Sequence, residues 1–173
     1  DLAPGTYTVV QILPPGYASV TPDAVTVSLE NSSLDNINFS TYALLDIVGV
    51  IFKDLDGNGR QSLGEVGQPD VLVEIFDDVN ANGQIDISDT LLESALSDIQ
   101  GNYILRGISP GNRILRVNTP AGMSSSEGEF VPLMLLSSGV MGGNLRNLNL
   151  PLVEAPPILC TVGNLIDAKF NPA

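Results

Sequence analysis

The chain has 173 residues, a formal net charge of −13, 43% apolar residues and only 5% aromatic residues. Histidine is absent and Cys160 is the single cysteine, which removes the usual general base, the usual zinc ligand and any intrachain disulfide. No basic patch is present to follow a phosphate backbone, and no apolar run reaches the ~18 residues of a membrane span, so nucleic acid binding and membrane insertion are not expected.

Runs rich in Val, Ile and Leu, separated by turn residues, predict an all-β protein. No stretch shows a helical period of apolar residues with matching caps. Pro-Gly, Asp-Gly and Asn-Gly turns lie between the runs. In chain order, the predicted strands cover residues 6–12, 24–29, 35–39, 47–53, 71–76, 89–95, 102–105, 114–118, 131–136 and 145–150.

The sequence contains an internal repeat with a period of roughly one hundred residues, which is the size of one sandwich domain. Three matches define it: LAPGTY at 2–7 with ISPGNR at 108–113, YTVVQILPPGY at 7–17 with RILRVNTPAGM at 113–123, and NINF at 36–39 with NLNL at 147–150. The matches predict tandem β-sandwich domains, cut out of phase with the repeat.

The position of the repeat along the sequence divides the chain into three predicted segments. Residues 1–45 are predicted to be the C-terminal half of a first β-sandwich repeat and residues 46–153 a complete repeat. Residues 154–173 are a tail, the opening strand of a next repeat, or a donor strand. Since a half-sandwich leaves an open edge and an apolar face, a strand from this chain or from another must cover it. The chain is therefore either a filament subunit or a fragment of a longer tandem protein.

The acidic residues are concentrated in the middle of the chain. Between Asp54 and Asp98 there are eleven acids and one base, Arg60, which account for −10 of the net charge of −13. Such crowding destabilises a compact state unless counterions or metals lie within it.

The first acidic loop, DLDGNGRQSLGE at 54–65, fits the twelve-residue calcium-loop pattern. Calcium is a hard cation that prefers six to eight oxygen ligands. A glycine at the sixth place permits the sharp turn, and Ser62 is placed to act directly or through water. The predicted ligands, with the backbone carbonyl at the seventh place, are Asp54, Asp56, Asn58, Arg60 and Glu65.

The second acidic loop, DVNANGQIDISD at 78–89, has the same phase but ends on the shorter Asp. Magnesium is disfavoured in both loops because it prefers a tight octahedron with few protein ligands. The alternative is that both loops are ordinary hairpin turns with acids added for solubility. The predicted ligands are Asp78, Asn80, Asn82, Gln84, Asp86 and Asp89.

The chain resembles the calcium-binding B-repeat domains of serine-aspartate repeat (SdrD B-like) surface proteins, which are related to collagen-adhesin B-type domains. The motifs that carry this resemblance are GVIFKDLDGNG at 49–59, GEVG at 64–67, VLVEI at 71–75, SDIQGNY at 97–103 and SPG at 109–111. The resemblance implies immunoglobulin-like or prealbumin-like β-sandwiches with bound Ca2+, arranged as a rigid rod of tandem copies in a bacterial surface protein. It also implies that Asp98 is a further calcium ligand.

Relatives of this kind often carry an internal Lys–Asn or Lys–Asp amide cross-link, promoted by a buried Glu. Lys53 lies on the expected strand, but the place of the Glu is taken by Gln11 in the first copy and by Val117 in the second. The resemblance therefore predicts that calcium, rather than a cross-link, stiffens this chain.

A structural, non-enzymatic function follows as the leading hypothesis. There is no Gly-x-Ser-x-Gly turn and no His for a serine hydrolase, and no aromatic platform accompanies the acids as in a glycosidase. We predict a calcium-stabilised module of an extracellular stalk or filament, at the cell surface or in the cell wall. Its expected partners are neighbouring copies, through strand addition or end-to-end packing. The alternative is a ligand-binding adhesin that recognises a host or matrix protein or a glycan.

Overall fold

The computed structural model describes residues 2–30, 33–136, 145–146 and 148–155. All regular structure in these ranges is β, which confirms the predicted fold class, and they contain no helix long and apolar enough to cross a membrane. The strands are β1 (Gly5–Val10), β2 (Tyr17–Ser19), β3 (Ala24–Leu29), β4 (Thr41–Ala43), β5 (Leu45–Lys53), β6 (Leu72–Asp77), β7 (Thr90–Leu96), β8 (Asn102–Ile108), β9 (Gly111–Asn118), β10 (Met123–Ser125), β11 (Phe130–Leu135), β12 (Leu145–Arg146) and β13 (Leu150–Glu154).

Strands β5 to β13 form a sandwich of two sheets. The four-stranded sheet has the order β11-β9-β6-β7 and is antiparallel throughout. The five-stranded sheet is centred on β5, which pairs antiparallel with β8 and parallel with β12 and β13, while β10 pairs with β13. This arrangement places both acidic loops between strands of the sandwich.

The hydrophobic core lies between these two sheets and is built from aliphatic side chains. Along β5, alternation turns Leu45, Ile47, Gly49 and Ile51 inward, as the period of two in a β-strand requires. Gly49 on β5 is required by close packing, because a Cβ there would lie 1.9 Å from the backbone oxygen of Leu148. The buried core residues include Leu45, Ile47, Ile51, Val73, Ile75, Leu105, Ile108, Leu115, Val117, Leu135, Leu150 and Leu152.

Strands β1 to β4 form two separate pairs, β1 with β3 and β2 with β4. We call residues 2–44 the first copy and residues 108–155 the second copy. Gly5 pairs with Leu29 in the first copy as Gly111 pairs with Leu135 in the second. All the remaining residue pairs between β1 and β3 have their counterparts, in the same register, between β9 and β11. The sequence repeat is therefore also a repeat of backbone pairing.

The turns of the two copies carry matching backbone hydrogen bonds as well. The glycines that follow the proline turns have nearly the same left-handed φ, 82° at Gly16 and 81° at Gly122. The matched bonds are Tyr17 N–H to Pro14 O with Met123 N–H to Pro120 O, Gln11 N–H to Asp23 O with Val117 N–H to Glu129 O, and Leu44 N–H to Gly16 O with Ala155 N–H to Gly122 O.

The division of the chain into domains at 45/46 and 153/154 remains a prediction.

Two of the predicted strands need correction. Residues 35–39 form no strand, because Asn36 has a left-handed φ of 67° that interrupts extended pairing. The predicted strand 145–150 is in fact two short segments, β12 and the beginning of β13. The three-residue strands β2, β4 and β10 are too short to show a period of two in the sequence. Of the predicted tail or opening strand at 154–173, residues 156–173 lie outside the described residues.

Candidate metal centre

The first acidic loop follows β5 directly, and its backbone is organised around Asp54. The Asp54 side chain is buried, and its Oδ1 accepts the N–H of Gly57 at 2.8 Å. Its Oδ2 accepts the N–H of Gly59 at 2.9 Å, which is possible because Gly59 adopts a φ of 73°. The carboxylate at the first place is therefore held inside the loop by backbone donors.

Three carboxylates converge in this loop. One ligand atom from each of Asp54, Asp56 and Glu65 lies within 4.8 Å of the other two, and this is the one group of three acids so closely spaced within the described ranges. Glu65 closes the loop, since its Oε1 accepts the N–H of Leu55 at 2.8 Å and its Oε2 that of Ser62 at 2.7 Å. Like charges this close repel one another, and a divalent cation offsets that repulsion.

The remaining predicted ligands of the first loop face into the same turn. Asn58 Oδ1 accepts the N–H of Arg60 at 2.7 Å. The carbonyl oxygen of Arg60 accepts the Ser62 hydroxyl at 3.2 Å. Side-chain amide and main-chain carbonyl oxygens thus lie in the same loop as the carboxylates, and oxygens of these kinds are ligands that calcium accepts.

The second acidic loop, between β6 and β7, has the same hydrogen-bonded conformation. Asp78 Oδ2 accepts the N–H of Gly83 at 3.0 Å, as Asp54 does from Gly59. Asp89 accepts the N–H groups of Val79 at 3.1 Å and Asp86 at 2.9 Å, as Glu65 does from Leu55 and Ser62. The shorter acid at the last place therefore closes the loop with the same pair of bonds.

The two loops differ in charge and in how their acids are grouped. Asp86 occupies the place of Ser62, and its Oδ2 accepts the side-chain N–H groups of Asn80 at 2.7 Å and Asn82 at 3.1 Å. The hydroxyl and N–H of Ser88, with the Asn80 amide, lower the pKa of Asp86 to about 2. Among the described residues, the acids of this loop form no group as tight as that of the first loop.

The carboxylate of Asp54 is stabilised in its ionised form. Burial by itself raises the pKa of Asp54, but the N–H groups of Gly59, Gly57 and Asn58 outweigh burial and hold the pKa below its usual value. A metal ligand must be deprotonated to bind. Asp54 therefore meets this requirement over the whole neutral range.

Asp98 lies in the turn between β7 and β8, outside the group of three acids. The Asn102 side chain is the main cause of its lowered pKa, and the N–H groups of Asn102 and Gln100 add to it. Both of its oxygens are within 3.1 Å of Asn102 Nδ2. In this structure Asp98 caps a turn, and its role as a calcium ligand remains an expectation from the resemblance.

Sequence reasoning missed the buried side chain that joins the end of β6, just before the second loop, to the turn between β8 and β9. Arg113 on β9 is 5% exposed and donates to the carbonyl oxygens of Ser109, at 3.1 Å, and Pro110, at 2.7 Å. It also forms an ion pair with Asp77, the residue before the loop. The sequence repeat aligns Arg113 with Tyr7. The Tyr7 hydroxyl donates to the carbonyl of Ala3, which matches Ser109, so the two aligned residues bond the same place in their turns.

Lys53 at the end of β5 forms an exposed ion pair with Glu154 on β13, with 2.7 Å between Nζ and Oε1. Glu154 is 75% exposed at its side chain, and Val117 is fully buried in the core. Val117 is thus part of the aliphatic core.

Comparisons with known proteins give limited matches. No protein-family model matches the chain. Colossin-B from Dictyostelium discoideum is 40% identical over 68 residues, which is 38% of this chain and 2% of that protein. The chain therefore spans a small part of the curated relative that it matches.

Solved structures with a similar fold include Gram-positive pilins. The shaft pilin SpaA from Lactobacillus rhamnosus GG is similar over 66% of this chain and 51% of its own, with a TM-score of 0.48 and 16% identity. A streptococcal ancillary pilin is similar over 90% of this chain and 44% of its own, with a TM-score of 0.43 and 15% identity. With TM-scores below one half, these similarities support no conclusion about function.

Proposed function

We propose that this chain is a structural β-sandwich module that binds calcium in its two acidic loops and is stiffened by it. The observation that carries the proposal is the convergence of Asp54, Asp56 and Glu65 within 4.8 Å, on a loop fixed by backbone hydrogen bonds. The same pattern of bonds in the second loop supports a second site. An ordinary solvated turn gains nothing from holding three carboxylates together.

The donor set fits calcium better than other common metals. It consists of carboxylate, amide and carbonyl oxygens without any His or Cys, which suits a hard cation. Bound calcium supplies positive charge and no redox chemistry. The residues proposed to hold it are Asp54, Asp56, Asn58, Arg60 and Glu65 in the first loop, and Asp78, Asn80, Asn82, Gln84, Asp86 and Asp89 in the second, with Asp98 as a further candidate.

The two loops have different mechanical roles because they connect different elements. The first loop lies in the crossover from β5 in the five-stranded sheet to β6 in the four-stranded sheet. An isolated bridge between Phe52 and Gly67 flanks it. The second loop connects β6 with β7 in one sheet. Calcium in the first loop therefore ties the two layers of the sandwich together, whereas calcium in the second loop stiffens one edge.

We further propose that the module works outside the cell, at the surface or in the wall, as part of a stalk or filament like the B-repeats that it resembles. Extracellular modules commonly bind calcium with dissociation constants of roughly 10⁻⁴–10⁻³ M. Its partners are other copies of the same chain. The adhesin alternative, with a host or matrix ligand, stays a prediction from the sequence.

Calorimetric titration with calcium tests the two sites separately. We expect two binding events in the wild type, one of which is lost in Glu65→Gln and the other in Asp89→Asn. Glu129→Gln is the matched control, because Glu129 is an exposed acid outside both loops. A wild type that binds no calcium, or loop variants that bind it like the control, would refute the proposal.

A further inference from the structure

Strand β7 is an edge of the four-stranded sheet and carries exposed leucines. In the order β11-β9-β6-β7, its partner among the described residues is β6. The strand lies in the middle of the chain, between β6 and β8, and both of these strands are described. Three of its leucines are nonetheless exposed to solvent, Leu91 by 46%, Leu92 by 37% and Leu96 by 61%. Burial of such side chains against a partner strand would be favourable.

Other edge strands of the sandwich carry features that discourage pairing with a further strand. β11, at the opposite edge of the same sheet, contains Pro132, which has no main-chain N–H to donate. β8, which pairs with β5 alone among the described residues, carries the exposed charge of Arg106. β7 contains no proline and no base. Its bulge at Leu92 leaves regular pairing over Glu93–Leu96, so this part of the edge is open to a further strand.

Pairing with β6 fixes the face on which each side chain of β7 lies. Residues directly opposite each other in an antiparallel pair share a face of the sheet. Glu93 is opposite the core residue Ile75, so it lies on the core side, where it is exposed at the edge. Leu91 and Leu96 are opposite residues that adjoin core residues in β6, so both lie on the outer side. An added strand would therefore meet leucines on one face and a carboxylate on the other.

Acidic residues surround β7. Asp89 directly precedes the strand, Glu93 lies within it and Asp98 follows it. None of the ion pairs formed between described residues involves these three acids. A second copy of β7 would bring the same acids against them, and like charges on facing strands are destabilising. The charge therefore favours a basic partner over a second copy of this chain.

We propose that β7 is a docking edge for an extended segment of another protein, in which apolar and basic residues alternate. Main-chain hydrogen bonds to the open edge of β7 supply affinity, as in other cases of strand addition. Apolar side chains of the segment lie beside Leu91 and Leu96, and its basic side chains lie beside Glu93. Glu93 also supplies specificity, because it repels acidic strands.

This surface goes beyond the structural function proposed above and gives the adhesin alternative a location. Its three contact residues are not among those proposed to hold calcium, so docking is measured in chelator. A chain that binds no calcium but docks the segment would refute the calcium proposal alone. A chain that binds calcium but docks no segment would refute the docking proposal alone.

Fluorescence anisotropy of labelled synthetic peptides tests the edge. The probe is a short peptide of alternating lysine and valine, which as a strand presents one basic and one apolar face. One control peptide has the same composition with all lysines before the valines, and a second has glutamate in place of lysine. We expect the full chain to bind the probe and neither control. A chain that does not bind the probe, or binds the block peptide equally well, overturns the proposal.

A leucine variant tests whether the peptide lies on β7. Leu96→Lys should weaken binding of the probe by about tenfold or more, because it removes an apolar contact and adds a repelling charge. The matched control is Leu63→Lys, which adds the same charge at a fully exposed leucine of the first acidic loop and should bind like wild type. Equal weakening in both variants would show a general effect of charge and overturn the proposal.

A charge reversal tests the source of specificity. Glu93→Lys should lower the ratio of affinities for the lysine probe over the glutamate peptide by about tenfold, since it exchanges attraction for repulsion at the contact. Glu129→Lys is the control, because Glu129 is an exposed acid outside β7. A Glu93→Lys chain with the same ratio as this control would contradict the role of Glu93.

Amide hydrogen exchange locates the bound peptide, and light scattering tests for self-pairing. Addition of the probe should slow exchange in β7 and leave the edges β8 and β11 unchanged, because main-chain bonding protects amides. Protection at β8 or β11 without protection at β7 overturns the proposal. The chain alone should scatter as a monomer. A dimer that Leu96→Lys dissociates would mean that β7 pairs with a second copy, which also overturns it.

Discussion

The first and second copies have the same backbone pairing but opposite environments. The pairing of Gly5 with Leu29 and of Gly111 with Leu135 follows one register, and the glycine after each proline turn has the same conformation. Yet Leu2 is exposed where Ile108 is buried. Turn chemistry and strand pairing therefore determine the local structure of both copies, and the strands that cover a copy determine whether its apolar residues form a core.

This comparison has an energetic consequence. Burial of apolar area stabilises a fold in proportion to the area removed from water. The second copy gains that contribution from β5, β6 and β8, whose side chains share its core. The first copy has no such cover among the described residues. Equivalent substitutions in the two copies should therefore have unequal effects on the free energy of unfolding.

The largest difference is expected at the centre of β9. Leu115 is fully buried in the core, and its counterpart Val9 is only half-buried. Leu115→Ala should lower the free energy of unfolding by about 2–5 kcal/mol because it leaves a cavity, and Val9→Ala by less than about 1 kcal/mol. Urea unfolding measures both. Equal losses at the two positions would mean that the first copy has a core of its own.

The next largest difference is expected at Arg113 and Tyr7. Arg113→Met leaves the carboxylate of Asp77 and the backbone carbonyls of the turn between β8 and β9 without their donor, and should cost about 2–4 kcal/mol. Tyr7→Phe removes one exposed hydrogen bond to Ala3 and should cost about 0.5 kcal/mol or less. Thermal unfolding of both variants in chelator separates this effect from calcium. A small loss in Arg113→Met would show that the end of β6 and this turn hold their places without the Arg113 side chain.

A third difference concerns Glu74 on β6, the strand that pairs with β9 in the second copy. Burial raises the pKa of Glu74, but the Asn118 amide and the Arg116 guanidinium outweigh it, so the pKa is below 4.5. Its stabilising contribution is therefore complete above pH 4.5 and is lost as the pH falls through the lower folded value. Glu74→Gln should cost about 1–3 kcal/mol at neutral pH.

Stability measured against pH checks this interpretation. The cost of Glu74→Gln should shrink as the pH falls below 4.5, since the wild-type carboxylate is then protonated. In the first copy, Val10 stands at the place of Arg116 and is 59% exposed, so Val10→Ala serves as the pH-independent control. A cost of Glu74→Gln that stays constant through acid pH would contradict the ion-pair account.

The smallest difference is expected at the turn glycines. Gly122→Ala and Gly16→Ala each force an alanine into a left-handed conformation, at a local cost of about 1 kcal/mol. Neither site has atoms within 4 Å that would meet the new Cβ. Only Gly122→Ala should shift the main unfolding transition, because only the second copy is covered by the core strands. Equal shifts would indicate that the two copies unfold as one unit.

The sequence predicted the strands well wherever pattern and turns agreed. Most predicted runs are strands, because Val, Ile and Leu alternate between Gly and Pro turns. Residues 35–39 fit the pattern, but the left-handed Asn36 prevents a strand there. The three-residue strands depend on long-range pairing, such as that of Tyr17 with Ala43. No local signal can predict such pairs.

The acidic loops were predictable in position and in bonding pattern, because Asp, Asn and Gly at fixed places dictate a turn of this kind. The tighter grouping of acids in the first loop was not, since it depends on how far the Glu65 side chain reaches. The buried Arg113 was also missed. Its burial is a product of tertiary packing against Asp77, which is far away in the sequence.

Thermal unfolding of the full chain at neutral pH, in excess calcium and in excess chelator, tests the central claim most directly. At a free calcium concentration one hundred times the dissociation constant, each site adds about 2.7 kcal/mol and the two together about 5.4 kcal/mol, so we predict a rise in melting temperature of roughly 10–20 °C. The double variant Glu65→Gln with Asp89→Asn should lose most of that rise. An identical melting temperature of the wild type in calcium and in chelator would contradict the account.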